Sequence, residues 1–231
     1  MLNRIRRFGF RLLYNECAFA YDAVSRAVSL GRWRIWQRCV MQFLPEPNAG
    51  MVLELAHGAG DLQVDLSKAG YRAAGLDLSR AMGRLAHRKL TKQGFGAALI
   101  QGEAACLPVP SNSIAALVST FPTAFIFAPK TQSEIKRVLK PEGRAVIVYS
   151  ALMTQTGILA TAIRSLYRLT GQTYTRIPDS EIRRLFHMRG LTVEAHTVHL
   201  GDSLAQLVVL RKASNASQSR RDISLELARE S

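Results

Sequence analysis

Between residues 49 and 212, apolar residues come in short runs separated by longer stretches of helical periodicity. Met51-Val52-Leu53-Glu54-Leu55 reads as a buried strand, followed by the small-residue loop Ala56-His57-Gly58-Ala59-Gly60. Leu62, Val64, Leu66 and Ala69 then predict a helix from Asp61, stopped by Gly70. Tyr71–Leu78 predicts a second strand, and Ser79 opens a basic helix that runs to about Gln93, with Gly94 as its stop. Ala97–Gln101, Ile114–Thr120 and Ala145–Ser150 predict further strands. A helix over Thr131–Leu139, ended by Lys140-Pro141-Glu142-Gly143, separates the last two. Strands alternating with helices build a largely parallel sheet covered on both faces.

The end of the chain follows another pattern. After a predicted helix at about Asp179–Arg189, two β-rich runs, Leu191–Leu200 and Ser203–Leu210, lie close together with Gly201-Asp202 between them, a hairpin signal. The expected fold is therefore α/β: a doubly wound, seven-stranded, mostly parallel sheet finished by an antiparallel hairpin. Residues 1–48 are expected to form N-terminal lid helices, 49–212 the main domain and 213–231 a polar tail.

A chain of 231 residues with 48% hydrophobic and 21% charged residues is a globular chain of one domain, not a disordered or fibrous one. Three cysteines, Cys17, Cys39 and Cys106, are too few and too scattered for a disulfide framework or a metal site. They suit a reducing, cytoplasmic compartment, and no metal is expected. Lys and Arg total 31 against 17 Asp and Glu, a net charge of +14 that favours anionic partners. The densest basic run is Arg4, Arg6, Arg7 and Arg11, interleaved with Leu2, Ile5, Phe8, Leu12 and Leu13 near helical spacing. Three readings of this segment stand: a helix lying on an anionic membrane surface, a helix packed on its own domain, and a transit peptide. The uncharged stretches 104–129 and 145–163 are broken by prolines and polar residues, so neither is expected to cross a membrane. The oligomeric state is left open.

The loop after the first strand carries the chemistry. Glycines let the backbone approach a ligand, and the helix that follows offers unpaired N–H groups. The spacing fails as a dinucleotide fingerprint, because Gln63 stands where a third glycine belongs, and it lacks the Gly-Lys-Ser/Thr of a phosphate-binding loop. Acidic residues close three successive strands: Glu54, Asp77 and Glu103. A carboxylate before the loop suits an ammonium group, one at the second strand suits ribose hydroxyls, and one at the third suits an adenine amino group.

In this setting VLELAHGAGDL, GLDLS, GEAACLPVP and RVLKPEGRAVIV, in that order, resemble the motifs of class I S-adenosylmethionine-dependent methyltransferases. The resemblance runs from about Tyr21 to Lys212 and implies a Rossmann-like methyltransferase fold with S-adenosyl-L-methionine as cofactor. It implies that Gly58, Ala59 and Gly60 pack around the methionine part and ribose. Ala56 replaces the usual first glycine, and Glu54 supports the loop or the amino group. Asp77 would bind the ribose hydroxyls with Leu78 beside it in the cofactor set. Glu103 and the Ala104 N–H would read the adenine, and Thr120 would border the methionine. Phe121 and Pro122 would face the acceptor, with Tyr21 covering the site from the lid. His57 is expected to fill a variable loop position, and Trp33, Trp36, Val40 and Phe43 are expected to pack toward the core.

YDAVSRAVSLGRWRIWQRCV and ELAHGAGD are most similar to the ubiquinone/menaquinone biosynthesis C-methyltransferases, whereas Ile114-Ala115 departs from the Phe-Asp usual there. The implied acceptor is a hydrophobic small molecule, a quinone precursor or a lipid, met by an enzyme that is cytoplasmic or peripheral at the membrane. Bacterial phospholipid N-methyltransferases share the same plan. Nucleic-acid methylation fits poorly: Ser119-Thr120-Phe121-Pro122 is not the Asn/Asp-Pro-Pro-aromatic signature, and no Pro-Cys nucleophile is present. A SAM-binding protein without catalysis is the remaining alternative. No residue stands out as a catalytic base.

Overall fold

The structure is a computed structural model that describes residues 31–154, 178–186 and 190–213. The arginine-rich start, Tyr21, the second half of the 145–163 stretch and all but Ala213 of the polar tail lie outside the described residues.

A short helix α1, Trp33–Arg38, continues into a 3-10 turn, Cys39–Phe43. Strand β1, Met51–Leu55, then leads to α2, Asp61–Lys68, β2, Arg72–Asp77, and α3, Arg80–Lys92. Edge strand β3 is only Leu99–Gln101, followed by β4, Ile114–Thr120, a 3-10 turn at Ala124–Phe127, and α4, Pro129–Val138. The long β5, Leu139–Met153, the helix α5, Asp179–Leu185, and the strands β6, Leu191–His199, and β7, Ser203–Lys212, complete it.

The seven strands form one sheet in the order β3-β2-β1-β4-β5-β7-β6. The first five pair in parallel, and β7 runs antiparallel to both β5 and β6. The order reverses direction between β1 and β4, and in such sheets the crevice at the carboxyl ends of those strands receives the ligand. β4 is buried along its whole length, as a central strand must be when both faces are covered. One core holds Leu53, Leu55, Leu117, Ile135 and Ile147, and the other holds Val52, Leu62, Leu66, Val118 and Val146. This alternation along β1, β4 and β5 divides the apolar runs between the two faces.

Two element boundaries differ from expectation. Lys140-Pro141-Glu142-Gly143 does not separate a helix from a strand. Leu139 already pairs with Ile114, and the next pair in register is Arg144 with Ala116, so the four residues bulge out within β5. Glu142 absorbs the bend at φ 63°. The predicted strand at Ala97–Gln101 shortens to its last three residues, the part that pairs with Gly75–Asp77. Among the described residues, no helix is long and apolar enough to cross a membrane.

Candidate active site

The loop between β1 and α2 begins inside the sheet's hydrogen-bond ladder. The Ala56 N–H donates to Leu76 O at 2.7 Å, after which the chain turns with φ 54° at Ala56, 54° at Gly58 and 81° at Gly60. The Gly60 N–H closes the turn on His57 O at 3.0 Å. A Cβ on Gly60 would stand 2.6 Å from Ala86 Cβ and 2.9 Å from its Cα, so glycine here is demanded by the approach of α3 as well as by φ.

Glu54 and His57 point beneath this loop. Glu54 is fully buried; its Oε2 accepts from Gln63 Nε2 at 2.7 Å, and its Oε1 has no partner among the described residues. Burial pushes its carboxyl up to about 8, with Asp77 adding to the rise and the Gln63 hydrogen bond opposing it. Gln63, the residue that spoils a dinucleotide fingerprint, is thus the brace of the acidic residue before the loop. His57 is 3% exposed, with Nδ1 2.8 Å from Gly58 O and Nε2 unpartnered among the described residues. Burial holds its pKa below the usual imidazole value.

Asp77, at the end of β2, has both carboxylate oxygens engaged. Oδ2 accepts from the Gly58 N–H at 2.9 Å and Oδ1 from the Ser79 N–H at 2.8 Å. A carboxylate has about four acceptor positions, so each oxygen retains capacity for a ligand hydroxyl. A cavity of about 300 Å³ opens beside it, lined by Ala56, Leu76, Asp77, Leu78, Glu103, Ala104, Phe125 and Thr131 among others. Leu78 is 67% exposed, a large apolar side chain presented bare at the cavity wall. The chain that follows Glu103 and Ala104 is held from outside the cavity. Arg137 donates to Leu107 O and Val109 O, each at 2.9 Å, while Glu134 accepts from the Leu107 N–H at 2.7 Å and from Arg137 Nε at 2.6 Å.

At the end of β4, Thr120 is buried and its Oγ1 accepts from Gln37 Nε2 at 3.2 Å. Phe121 follows with φ 52°, an unusual conformation for a bulky residue. Its N–H donates to Val148 O at 2.7 Å, and its ring stacks on Trp33 at 4.5 Å and meets Trp36 edge-on at 6.2 Å. Pro122 is half-buried beside it. α1 is tied across this end of the sheet by Trp36 Nε1 to Ser203 Oγ at 3.0 Å, Arg32 to Asp202 at 2.7 Å and Arg34 to Asp65 at 2.7 Å. Trp36 and Val40 are buried, as core packing predicts, while Trp33 spends its face on Phe121.

Of the residues singled out in sequence, the structure gathers Ala56, Asp77, Leu78, Glu103 and Ala104 around one cavity. Gly58 joins them through Asp77. Glu54, Ala59, Gly60 and Thr120 are not among its lining; Glu54 lies under the loop and Thr120 behind Gln37. Phe125 and Thr131 line the cavity without having been anticipated, because only the chain's return after β4 brings them there. Among the described residues no group of His, Cys, Asp and Glu could hold a metal.

Residues 7–168 match the model of the ubiE/COQ5 methyltransferase family. The chain belongs to that family. The demethylmenaquinone methyltransferase of Thermus thermophilus is 30% identical over 139 residues, which cover 59% of this chain and 63% of that protein, just under two thirds of its length. The ubiquinone/menaquinone biosynthesis C-methyltransferase of Blochmanniella floridana is 31% identical over 183 residues, 71% of each chain. A SAM-dependent methyltransferase structure from Aquifex aeolicus superimposes with a TM-score of 0.58 at 20% identity, covering 80% of this chain and 97% of that one, and so shares the fold. The likeness drawn from YDAVSRAVSLGRWRIWQRCV and ELAHGAGD is borne out.

Proposed function

We propose that this methyltransferase transfers a methyl group from S-adenosyl-L-methionine to a ring carbon of a hydrophobic quinone precursor. Carrying this reading is one juxtaposition: Asp77, at the end of β2, and Glu103, just past the end of β3, share a cavity of about 300 Å³ with the bare side chain of Leu78. A carboxylate pair beside an apolar wall suits a ribose and an adenine, and the positive φ of Ala56, Gly58 and Gly60 lets the loop pass close to the rest of the ligand.

Bound there, S-adenosylmethionine supplies an electrophilic methyl group on a sulfonium, so the chain's task is chiefly alignment. In this reading Asp77 holds the ribose hydroxyls, Glu103 accepts from the adenine amino group and the Ala104 N–H serves a ring nitrogen. Ala56, Gly58, Ala59 and Gly60 form the loop around the methionine part. Glu54, braced by Gln63, fixes the shape of that loop. Thr120 closes the methionine end, and Phe121 and Pro122, roofed by Trp33, border the acceptor. His57 is not used as a base, since its ring is buried against the sheet. Residues 49–212 act as the cofactor-binding unit, with residues 1–48, including Tyr21, as lid.

The relatives' names support a quinone-type acceptor: one is a demethylmenaquinone methyltransferase and the other a C-methyltransferase of ubiquinone/menaquinone biosynthesis. Such acceptors reside in membranes, and a charge of +14 favours an anionic bilayer over a neutral one. Calorimetry with S-adenosylmethionine tests the cofactor site: wild type binds, and Asp77→Ala binds at least tenfold more weakly. Labelled methyl transfer to demethylmenaquinol, phosphatidylethanolamine and RNA tests the acceptor. Label in the quinol supports the proposal, label only in the amine or the RNA replaces it, and tight binding without transfer to any acceptor favours a non-catalytic SAM-binding protein.

A further inference from the structure

Helix α3 carries a chemistry that the cofactor site does not use. Arg80, Arg84 and Arg88 recur at every fourth residue, with His87 beside them, along an open groove of about 450 Å³ between α3 and the edge strand β3. Gly83 lines the groove without obstructing it, and Leu99 and Ala97 form its apolar side. No carboxylate lines it, and all three arginines are exposed and make no ion pair or hydrogen bond among the described residues. Lys89, on the other side of the same helix, is paired with Asp61 at 2.9 Å. At the α-helical rise the arginines step by about 6 Å over a row of about 12 Å. Guanidiniums this close repel one another, and a matching row of phosphate groups relieves the repulsion through charge-assisted hydrogen bonds.

We propose that this groove binds the headgroups of anionic phospholipids and seats the α3 edge of the molecule on a membrane surface. The ligand class follows from the lining. No Phe, Tyr or Trp lines the groove to form the stacking platform that single-stranded nucleic acid would use, and the single imidazole of His87 sits among the arginines. Leu99 and Ala97 offer apolar contact beneath the charges. The proposal deepens the membrane reading above and rests on its premise that the acceptor is lipid-borne, but it is read out without methyl transfer.

Flotation of the full chain with vesicles tests it, using phosphatidylcholine alone and phosphatidylcholine with phosphatidylglycerol in equal parts. Wild type floats with the anionic vesicles only. With about fivefold in partition per basic residue at a membrane surface, R80Q/R84Q/R88Q loses about 100-fold, and Arg84→Gln alone about fivefold should the triple variant fail to fold. Calorimetry with S-adenosylmethionine reports that each variant is folded with its cofactor site intact. The charge-matched K68Q/R72Q/K130Q keeps most of its binding. Three results overturn the proposal: flotation of the groove variant like wild type, equal loss in the charge-matched control, or saturation of these arginines by soluble tripolyphosphate or single-stranded RNA with no vesicle binding. Loss of quinol methylation with flotation intact would strike the acceptor assignment and leave the groove standing.

Discussion

The imidazole of His57 occupies the space that a side chain on Gly75 would need. A Cβ at residue 75 would lie 2.8 Å from His57 Cδ2 and 2.9 Å from Leu99 Cδ2. The glycine in the middle of β2 is therefore the counterpart of a buried histidine in the loop of the neighbouring strand. Gly75→Ala is expected to lower stability by about 1–3 kcal/mol, the usual cost of overpacking. Adding His57→Ala should restore part of that loss. Urea denaturation of the two single variants and the double variant measures the coupling; strictly additive losses would show that the two positions do not share this space.

Ala56 holds φ 54°, in the left-handed region that glycine adopts freely. An L-residue in the left-handed region costs about 1–2 kcal/mol, partly offset by the greater chain entropy that glycine loses on folding. Ala56→Gly should raise stability by about 0.5–1 kcal/mol with the fold unchanged. A lower urea midpoint for the variant would contradict this.

Glu54 links stability to pH. Its folded value of about 8 lies above the ordinary 4.5, so the fold favours the neutral carboxyl. Below about pH 4.5 the group is protonated in both states and its favourable contribution is complete. As pH rises from there to 8, the unfolded chain ionises freely while the folded one resists, so stability is lost across that window. Between pH 5 and pH 8 the wild type should lose on the order of a few kcal/mol from this group. Glu54→Gln keeps an acceptor for Gln63 Nε2 and should flatten most of the slope; an equally steep profile in the variant would reject the assignment.

Arg137 braces the chain that follows Glu103 and Ala104 without itself lining the cavity. Its guanidinium reaches Leu107 O, Val109 O and Glu134 together, which a lysine amine on a flexible stem cannot reproduce. Arg137→Lys should weaken S-adenosylmethionine binding several-fold by calorimetry while far-ultraviolet circular dichroism stays that of the wild type. Unchanged affinity would mean that the 102–110 segment keeps its shape without the fork.

Much of the architecture was legible along the chain. A parallel sheet buried on both faces writes itself as short apolar runs between amphipathic helices, and a tight hairpin announces itself at Gly201-Asp202, so strand identities and the antiparallel end follow from local pattern alone. The acidic strand tips were legible for the same reason: Glu54, Asp77 and Glu103 stand beside small residues at run ends. What each carboxylate faces was not. Glu54 lies near the end of a central strand, where Gln63 and the turning loop bury it, whereas Asp77 ends β2 and Glu103 follows β3, nearer the sheet's edge, and both reach a shared cavity. Thr120 meets Gln37 across 83 positions of sequence, and Phe125 and Thr131 reach the cavity only after the chain has crossed the sheet. Such partnerships depend on strand order and on which side chains compete for the same buried volume, and neither is set by neighbours in sequence.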